Sequence, residues 1–187
     1  MYDMEQYYQA TSVADAIAAL GADPAAMPIA GGTDVLIQTR EGRHAGCHLV
    51  SLHGLSELSA IRAEEDGTLV IGSGCTFSEI TNAPLLRPHI NMLCQAVDQV
   101  GSPQIRNMGT IGGNVCNGVT SADSAPSLMA LNAVLEVQGP SGKRLIPIGE
   151  WYAGPGKTVR QHDEVLTAVR IARENYEGFG GHYIKYG

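Results

Sequence analysis

No two cysteines of this chain stand close enough to form a C-x-x-C pair. Cys47, Cys75, Cys94 and Cys116 are scattered, which argues against a zinc or iron–sulfur cluster held within the chain and for reduced, partly buried thiols. The six histidines (His44, His48, His53, His89, His162 and His182) show no ligand-like spacing either, so no metal ligands are assigned. A run of ~18 apolar residues is missing, so no membrane span is expected. Positive charge is scarce: 12 Lys and Arg stand against 19 Asp and Glu, a net charge of −7, and no basic face is visible for nucleic acid. The opening Met1-Tyr2-Asp3-Met4-Glu5 has neither a basic start nor an apolar core. No signal peptide is expected, and a cytoplasmic location is. Also missing are an internal repeat, a low-complexity tract and the G-x-G-x-x-G fingerprint, so a Rossmann dinucleotide site is not indicated.

What is present is glycine, 23 residues of it in 187, dispersed without period. Two clusters stand out. The first is Ile29-Ala30-Gly31-Gly32-Thr33-Asp34, and the second is Gly109-Thr110-Ile111-Gly112-Gly113-Asn114, followed by Ser121-Ala122-Asp123-Ser124-Ala125-Pro126. Each sets unhindered backbone N–H groups beside small hydroxyl and amide side chains, the chemistry that wraps a phosphate without cationic side chains. Two such loops in one chain suggest a dinucleotide with a central pyrophosphate. The first loop also reads as a tight strand-to-helix turn with no ligand, with Asp34 as the cap of a helix beginning at Val35. Asp123 reads either as an acceptor for a ribityl or ribose hydroxyl or as the cap of a helix beginning near Ser124.

The length suits one domain or two small lobes. Thr11 or Ser12 caps a helix to Leu20 with Val13, Ala16, Ile17 and Leu20 on one face. Met27–Ala30 is a short strand, Val35–Gln38 starts a helix, and His48–Leu52 is a second strand, which together make a small α/β lobe over residues 1 to 56. In residues 57 to 187, Thr68–Gly72 is paired with Leu58–Ile61 across the Asp66-Gly67 turn. Helices are expected over Phe77–Thr81, Ile90–Val100 and Ser124–Leu131. Strands follow at Ala133–Val137, Arg144–Ile148, Glu164–Ile171 and His182–Tyr186. The second lobe is thus α+β with a largely antiparallel sheet.

The ordered stretches Ala30-Gly31-Gly32-Thr33-Asp34, Gly101-Ser102-Pro103-Gln104-Ile105-Arg106-Asn107, Thr110-Ile111-Gly112-Gly113-Asn114, Asn117 and Ala122-Asp123-Ser124-Ala125-Pro126 carry a family resemblance. The chain resembles the FAD-binding (medium) subunit of the xanthine dehydrogenase family of molybdenum hydroxylases, over essentially its whole length. The resemblance implies the two-lobed α+β flavin fold shared with vanillyl-alcohol oxidase relatives and CO dehydrogenase flavoproteins, with FAD between the lobes. It further implies that Met27, Pro28, Ile29, Ala30, Gly31, Gly32, Thr33 and Asp34 hold the pyrophosphate and adenylate side. Gly109, Thr110, Ile111, Gly112, Gly113 and Asn114 would hold the middle of FAD, with Asp123 in support. Val165 or Leu166, Ile184 and Lys185 would lie near the flavin, and Phe77 would stack on the cofactor or pack in the core.

Partners implied are a molybdopterin-binding large subunit and an iron–sulfur small subunit, with electrons passing through FAD to NAD+. Lys185 is the one charged residue implied in the chemistry: a cation there would raise the flavin potential, and Lys185→Met would lower it. The family's chains continue into a C-terminal domain that this sequence does not reach. An extra cysteine cluster of the benzoyl-CoA reductase branch is lacking, which argues against that branch. Two other classes stay open, a stand-alone flavin oxidoreductase and a non-redox assembly module.

Overall fold

The computed structural model describes residues 3–186; Met1, Tyr2 and Gly187 lie outside them. The chain begins with β1 (Met4–Gln9), α1 (Val13–Ala22), β2 (Ala26–Ile29), α2 (Val35–Arg40) and β3 (Cys47–Ser51). The three strands form one parallel sheet in the order β1-β3-β2. Parallel neighbours need crossovers, and the helices supply them. Helix α1 forms where its pattern says it should. Ser12 accepts the Asp15 N–H at 3.0 Å, and Val13, Ala16, Ile17 and Leu20 are buried. Strand β1 carries no apolar alternation and is exposed at every position, so only its pairing with β3 makes it a strand. Pro28 is tolerated because β2 is the other edge.

After a single 3₁₀ turn at Ser56–Leu58 come β4 (Ile61–Ala63) and β5 (Leu69–Gly72). Four helices and a short fifth follow: α3 (Phe77–Asn82), α4 (Arg87–Asp98), the single turn α5 (Pro103–Arg106), α6 (Ile111–Asn117) and α7 (Ser124–Ala130). The chain then builds β6 (Val134–Gly139), β7 (Gly142–Pro147), the small hairpin β8 (Tyr152–Gly154) and β9 (Lys157–Thr158), and finally β10 (Val165–Ile171). The second sheet is wholly antiparallel, in the order β4-β5-β10-β6-β7. Its last strand in sequence is its centre, which is why β10 is buried at every position up to Arg170, with Thr167, bonded to Glu136, the one polar residue before it.

Leu69, Ile71, Leu135, Val137, Val169 and Ile171 of this sheet pack with Ile80, Leu93, Ile111, Leu128 and the fully buried Trp151. The two sheets are not independent. Val165, at the start of β10, packs with Leu55 and Leu58 into the α1 core of the first sheet. The α+β expectation, with a mainly antiparallel second sheet, therefore holds.

Four local expectations do not. The strand expected over Leu58–Ile61 lies instead at Ile61–Ala63, because Ser56–Leu58 is taken up by the 3₁₀ turn. The stretch Gly109–Asn114 is not an open loop, because a helix starts at Ile111 with Thr110 as its cap. Helix α4 begins three residues earlier than expected and carries non-helical backbone at Ile90. No strand forms over His182–Tyr186 among the described residues. Both edges of the second sheet lie elsewhere, and this segment instead lies against α4, where the Tyr183 N–H donates to Gln95 Oε1 at 3.2 Å.

Candidate functional site

Strand β2 runs out at Ile29 into Ala30–Asp34 and α2 begins at Val35, so the first glycine segment is the turn between them. Gly32 holds φ at +71°, a left-handed value that favours glycine. Gly31 has a different reason. A Cβ there would sit 1.8 Å from the Met108 carbonyl oxygen, so the bare backbone lets this turn rest directly on the second glycine segment. Among the described residues, no protein acceptor meets the N–H of Gly31, Gly32, Thr33 or Asp34. The Asp34 side chain, expected as a helix cap, caps nothing: its backbone is already helical and its carboxylate accepts no capping bond.

The second segment is built the other way. The N–H groups of Gly109, Ile111 and Gly112 donate to the carbonyls of Ile105, Cys75 and Ser73 at 2.6, 3.0 and 2.8 Å. The Gly113 N–H goes to Thr110 Oγ1 at 3.1 Å. Gly112 is glycine because a Cβ would lie 2.6 Å from the Ser73 Cβ, and Gly109 because one would lie 2.8 Å from the Phe77 ring. Asn114 Oδ1 accepts from Ser124 Oγ at 2.6 Å, which leaves its amide N–H donors for whatever lies alongside.

Between the segments lies a cavity of about 610 Å³. Of the residues singled out from the sequence, Met27, Pro28, Ala30, Gly31, Gly32, Thr33, Asp34, Gly109, Thr110, Gly112, Gly113, Asn114, Asp123, Val165 and Leu166 line it. Phe77 does so too, although its ring is otherwise core. Ile29 and Ile111 are buried in the hydrophobic cores and are not on the wall. Ile184 is 76% exposed and Lys185 is half exposed, both off the wall.

Asp123 is buried at 8% exposure, and neither of the two roles read from the sequence accounts for the bonds it makes. It does not cap α7; it accepts from Tyr183 Oη at 2.7 Å and pairs with Lys185 Nζ at 2.9 Å. Residues 183 and 185, two apart in the chain, thus reach the same carboxylate. Burial, with the Asp123 carboxylate adding to it, pushes the Tyr183 phenol up to about 12, so it stays a donor.

Sequence reasoning missed several wall residues. Glu164 is buried, and Arg144 grips it at 2.7 and 2.8 Å, which holds its carboxyl below the usual range. Leu58, Ser73, Cys116 and Arg160 also line the cavity. Burial pushes the Cys116 thiol up to about 11, so it is no nucleophile. No sequence signal marked Arg160, whose neighbours are ordinary loop residues.

A parallel sheet and an antiparallel sheet closing on a cavity edged by free backbone N–H groups define a domain that holds a phosphate-bearing cofactor. The chain belongs to the family described as the FAD binding domain in molybdopterin dehydrogenase, which matches residues 2–173. The xanthine dehydrogenase FAD-binding subunit of Escherichia coli O157:H7 is 42% identical over 186 residues, covering 100% of this chain and 64% of the relative. The nicotinate dehydrogenase FAD-subunit of Eubacterium barkeri is 35% identical over 158 residues, covering 83% of this chain and 53% of the relative. The crystal structure of the cyanide-inactivated Cu,Mo-CO dehydrogenase superposes with a TM-score of 0.88 at 32% identity, over 92% of this chain and 60% of that one. The chain thus spans less than two thirds of the length of these relatives. The family resemblance and the fold class read from the sequence are borne out. No helix among the described residues is long and apolar enough to cross a membrane.

Proposed function

We propose that this chain carries the FAD of a molybdenum hydroxylase that oxidises xanthine or a related purine. In this reading it stands between iron–sulfur clusters on a small partner subunit and NAD+ as acceptor, and the purine is oxidised on a molybdopterin-binding large subunit. The observation that carries it is the run of four N–H groups, Gly31 to Asp34, that no protein acceptor satisfies at the edge of the 610 Å³ cavity. Gly31, Gly32 and Thr33 are half-buried and Asp34 is exposed, so these donors stand open to an acceptor entering from the cavity.

The residues present fit FAD. The Gly31–Asp34 N–H groups and the Thr33 hydroxyl would hold the diphosphate. The Asn114 amide and the Asp123 carboxylate would meet ribityl or ribose hydroxyls, and Leu58, Phe77, Val165 and Leu166 would give an apolar wall. When bound, FAD supplies stepwise electron uptake and hydride transfer to NAD+. The chain's own part is to bind, orient and shield. Lys185 enters through Asp123, whose charge it balances. The division into lobes at residue 56 belongs to the same reading and is supported by the passage of the chain from the parallel sheet, whose last strand ends at Ser51, to the antiparallel one, which starts at Ile61.

The purine as substrate is supported by the name and 42% identity of the E. coli subunit. The family also includes nicotinate and CO dehydrogenases, so the choice of substrate belongs to a partner chain. The test is a flavin spectrum of the purified chain after excess FAD and desalting. About one FAD per chain is the expected result, followed by anaerobic bleaching with NADH. A colourless protein would overturn the claim that these residues form the site, and flavin that NADH leaves oxidised would reassign the acceptor.

A further inference from the structure

The cavity wall carries three acidic groups and one permanent cation, and the way they are paired decides its electrostatics. Glu164 is neutralised from behind by Arg144, and Asp123 from the side by Lys185. Asp34 sits exposed at the rim, where water screens it. Arg160 is the one Lys or Arg among the wall residues, and among the described residues it has no carboxylate partner within salt-bridge distance. Its Nη1 is pinned by the carbonyls of Gln161, His162 and Glu164 at 2.8, 3.1 and 2.7 Å. Carbonyls fix the guanidinium in place without cancelling its charge. Nε and Nη2 carry three further N–H donors with no acceptor among the described residues.

The geometry points to Arg160 as an anion-reading residue of this cavity, aimed at the diphosphate of the bound dinucleotide; the assignment rests on the FAD reading above. Oxidised flavin and adenine are uncharged at neutral pH, so the diphosphate is the anionic group that FAD brings. A planar guanidinium with a free edge suits phosphate oxygens, which accept two parallel bonds from it. The four N–H groups of Gly31–Asp34 supply donors without formal charge, and Arg160 adds the charge they lack. Arg160 is thus a determinant of specificity for a phosphorylated flavin.

Calorimetric titration of FAD into wild-type, Arg160→Gln and Arg160→Lys protein at low and high NaCl tests this. Arg160→Gln should raise the FAD Kd about 10- to 100-fold, the range of a charge-assisted contact. It should also flatten the salt dependence, because screening acts on the charge that has been removed. Arg160→Lys keeps the charge but loses the fork, and should retain the salt dependence with a smaller loss of affinity. The inference is overturned if Arg160→Gln binds FAD like wild type, or if it weakens binding but keeps the wild-type salt slope. The second result would mean that the fork on the carbonyls matters and the charge does not. Wild-type protein that fails to bind FAD would overturn the FAD reading itself.

Discussion

The two glycine segments look alike as sequence and do opposite things as structure. Gly31–Asp34 keeps its N–H groups unspent, whereas the second segment gives the N–H groups of Gly109 and Ile111–Gly113 to Ile105, Cys75, Ser73 and Thr110. The first is therefore a donor surface and the second a structural joint that places Thr110 and Asn114 on the wall. The difference teaches that glycine richness reports close approach without saying what is approached. Gly31 approaches Met108, Gly112 approaches Ser73, and only the leftover donors point to a ligand.

The largest expected effect comes from breaking the joint between the segments. In Gly31→Ala the new Cβ meets the Met108 carbonyl oxygen at 1.8 Å and its carbon at 2.6 Å, both backbone atoms that no rotamer change can move. The variant should lose about 3 kcal/mol or more, at the upper end of overpacking costs, and its unfolding midpoint should fall by about 6–12 °C. Gly112→Ala meets Ser73 at 2.6–2.7 Å and should lose about 1–3 kcal/mol. Thermal unfolding followed by circular dichroism ranks the two. A Gly31→Ala protein as stable as wild type would mean that the segments are not in contact.

A smaller effect sharpens the contrast between donor surface and joint. Thr110 Oγ1 accepts the Gly113 N–H at 3.1 Å as a helix cap, so Thr110→Ala should cost about 1 kcal/mol of stability. The Thr33 hydroxyl, on the cavity wall, has no protein partner among the described residues, so Thr33→Ala should leave stability within about 0.5 kcal/mol of wild type. Its effect should fall on FAD affinity instead, by about 2- to 10-fold. Denaturant melts and FAD titrations of both variants separate these outcomes. If Thr33→Ala changes stability and not affinity, the first segment is a joint as well.

The contrast also marks what was legible in the sequence. The amphipathic α1, the Asp66-Gly67 turn with the strand after it, and β10 were readable because local pattern and final environment agree, whereas the hairpin's first strand lies at Ile61–Ala63 and not at Leu58–Ile61. The β1 strand was not, since Met4–Gln9 has no alternation and is a strand only through its β3 neighbour. The wall was readable at its glycines and at Asp123, where small polar residues cluster. It was unreadable at Arg160 and Glu164, which reach the cavity because β10 is inserted between β5 and β6. The strand expected over His182–Tyr186 failed on the same ground: a strand needs a neighbour, and the edges of the antiparallel sheet, β4 and β7, do not pair with this segment.

The smallest effect concerns pH and separates the regions again. The sheet that ends in the first segment is tied across its strands by His48 of β3, which bonds Asp23 through Nδ1 and faces Glu5 of β1 at 3.4 Å through Nε2. The hydrogen bond to Asp23, with Glu5 adding to it, holds the His48 pKa above its ordinary 6.5. The same bond holds the Asp23 carboxyl below 3.8. A raised histidine stabilises fully below its unfolded pKa and loses that contribution as pH rises through the folded value. A depressed aspartate stabilises above its unfolded pKa and loses its contribution as pH falls through the folded value. Both are therefore fully present between 3.8 and 6.5. Hydrogen-exchange protection of the β2 and β3 amides should differ most between wild type and His48→Gln near about pH 5, and the difference should shrink toward about pH 9. Amides of Ile111–Asn117, tied to Ser73 and Cys75 by carbonyls that do not titrate, should show no such pH dependence. Equal pH responses in the two regions would mean that they unfold as one unit and that the first segment is held no more loosely than the second.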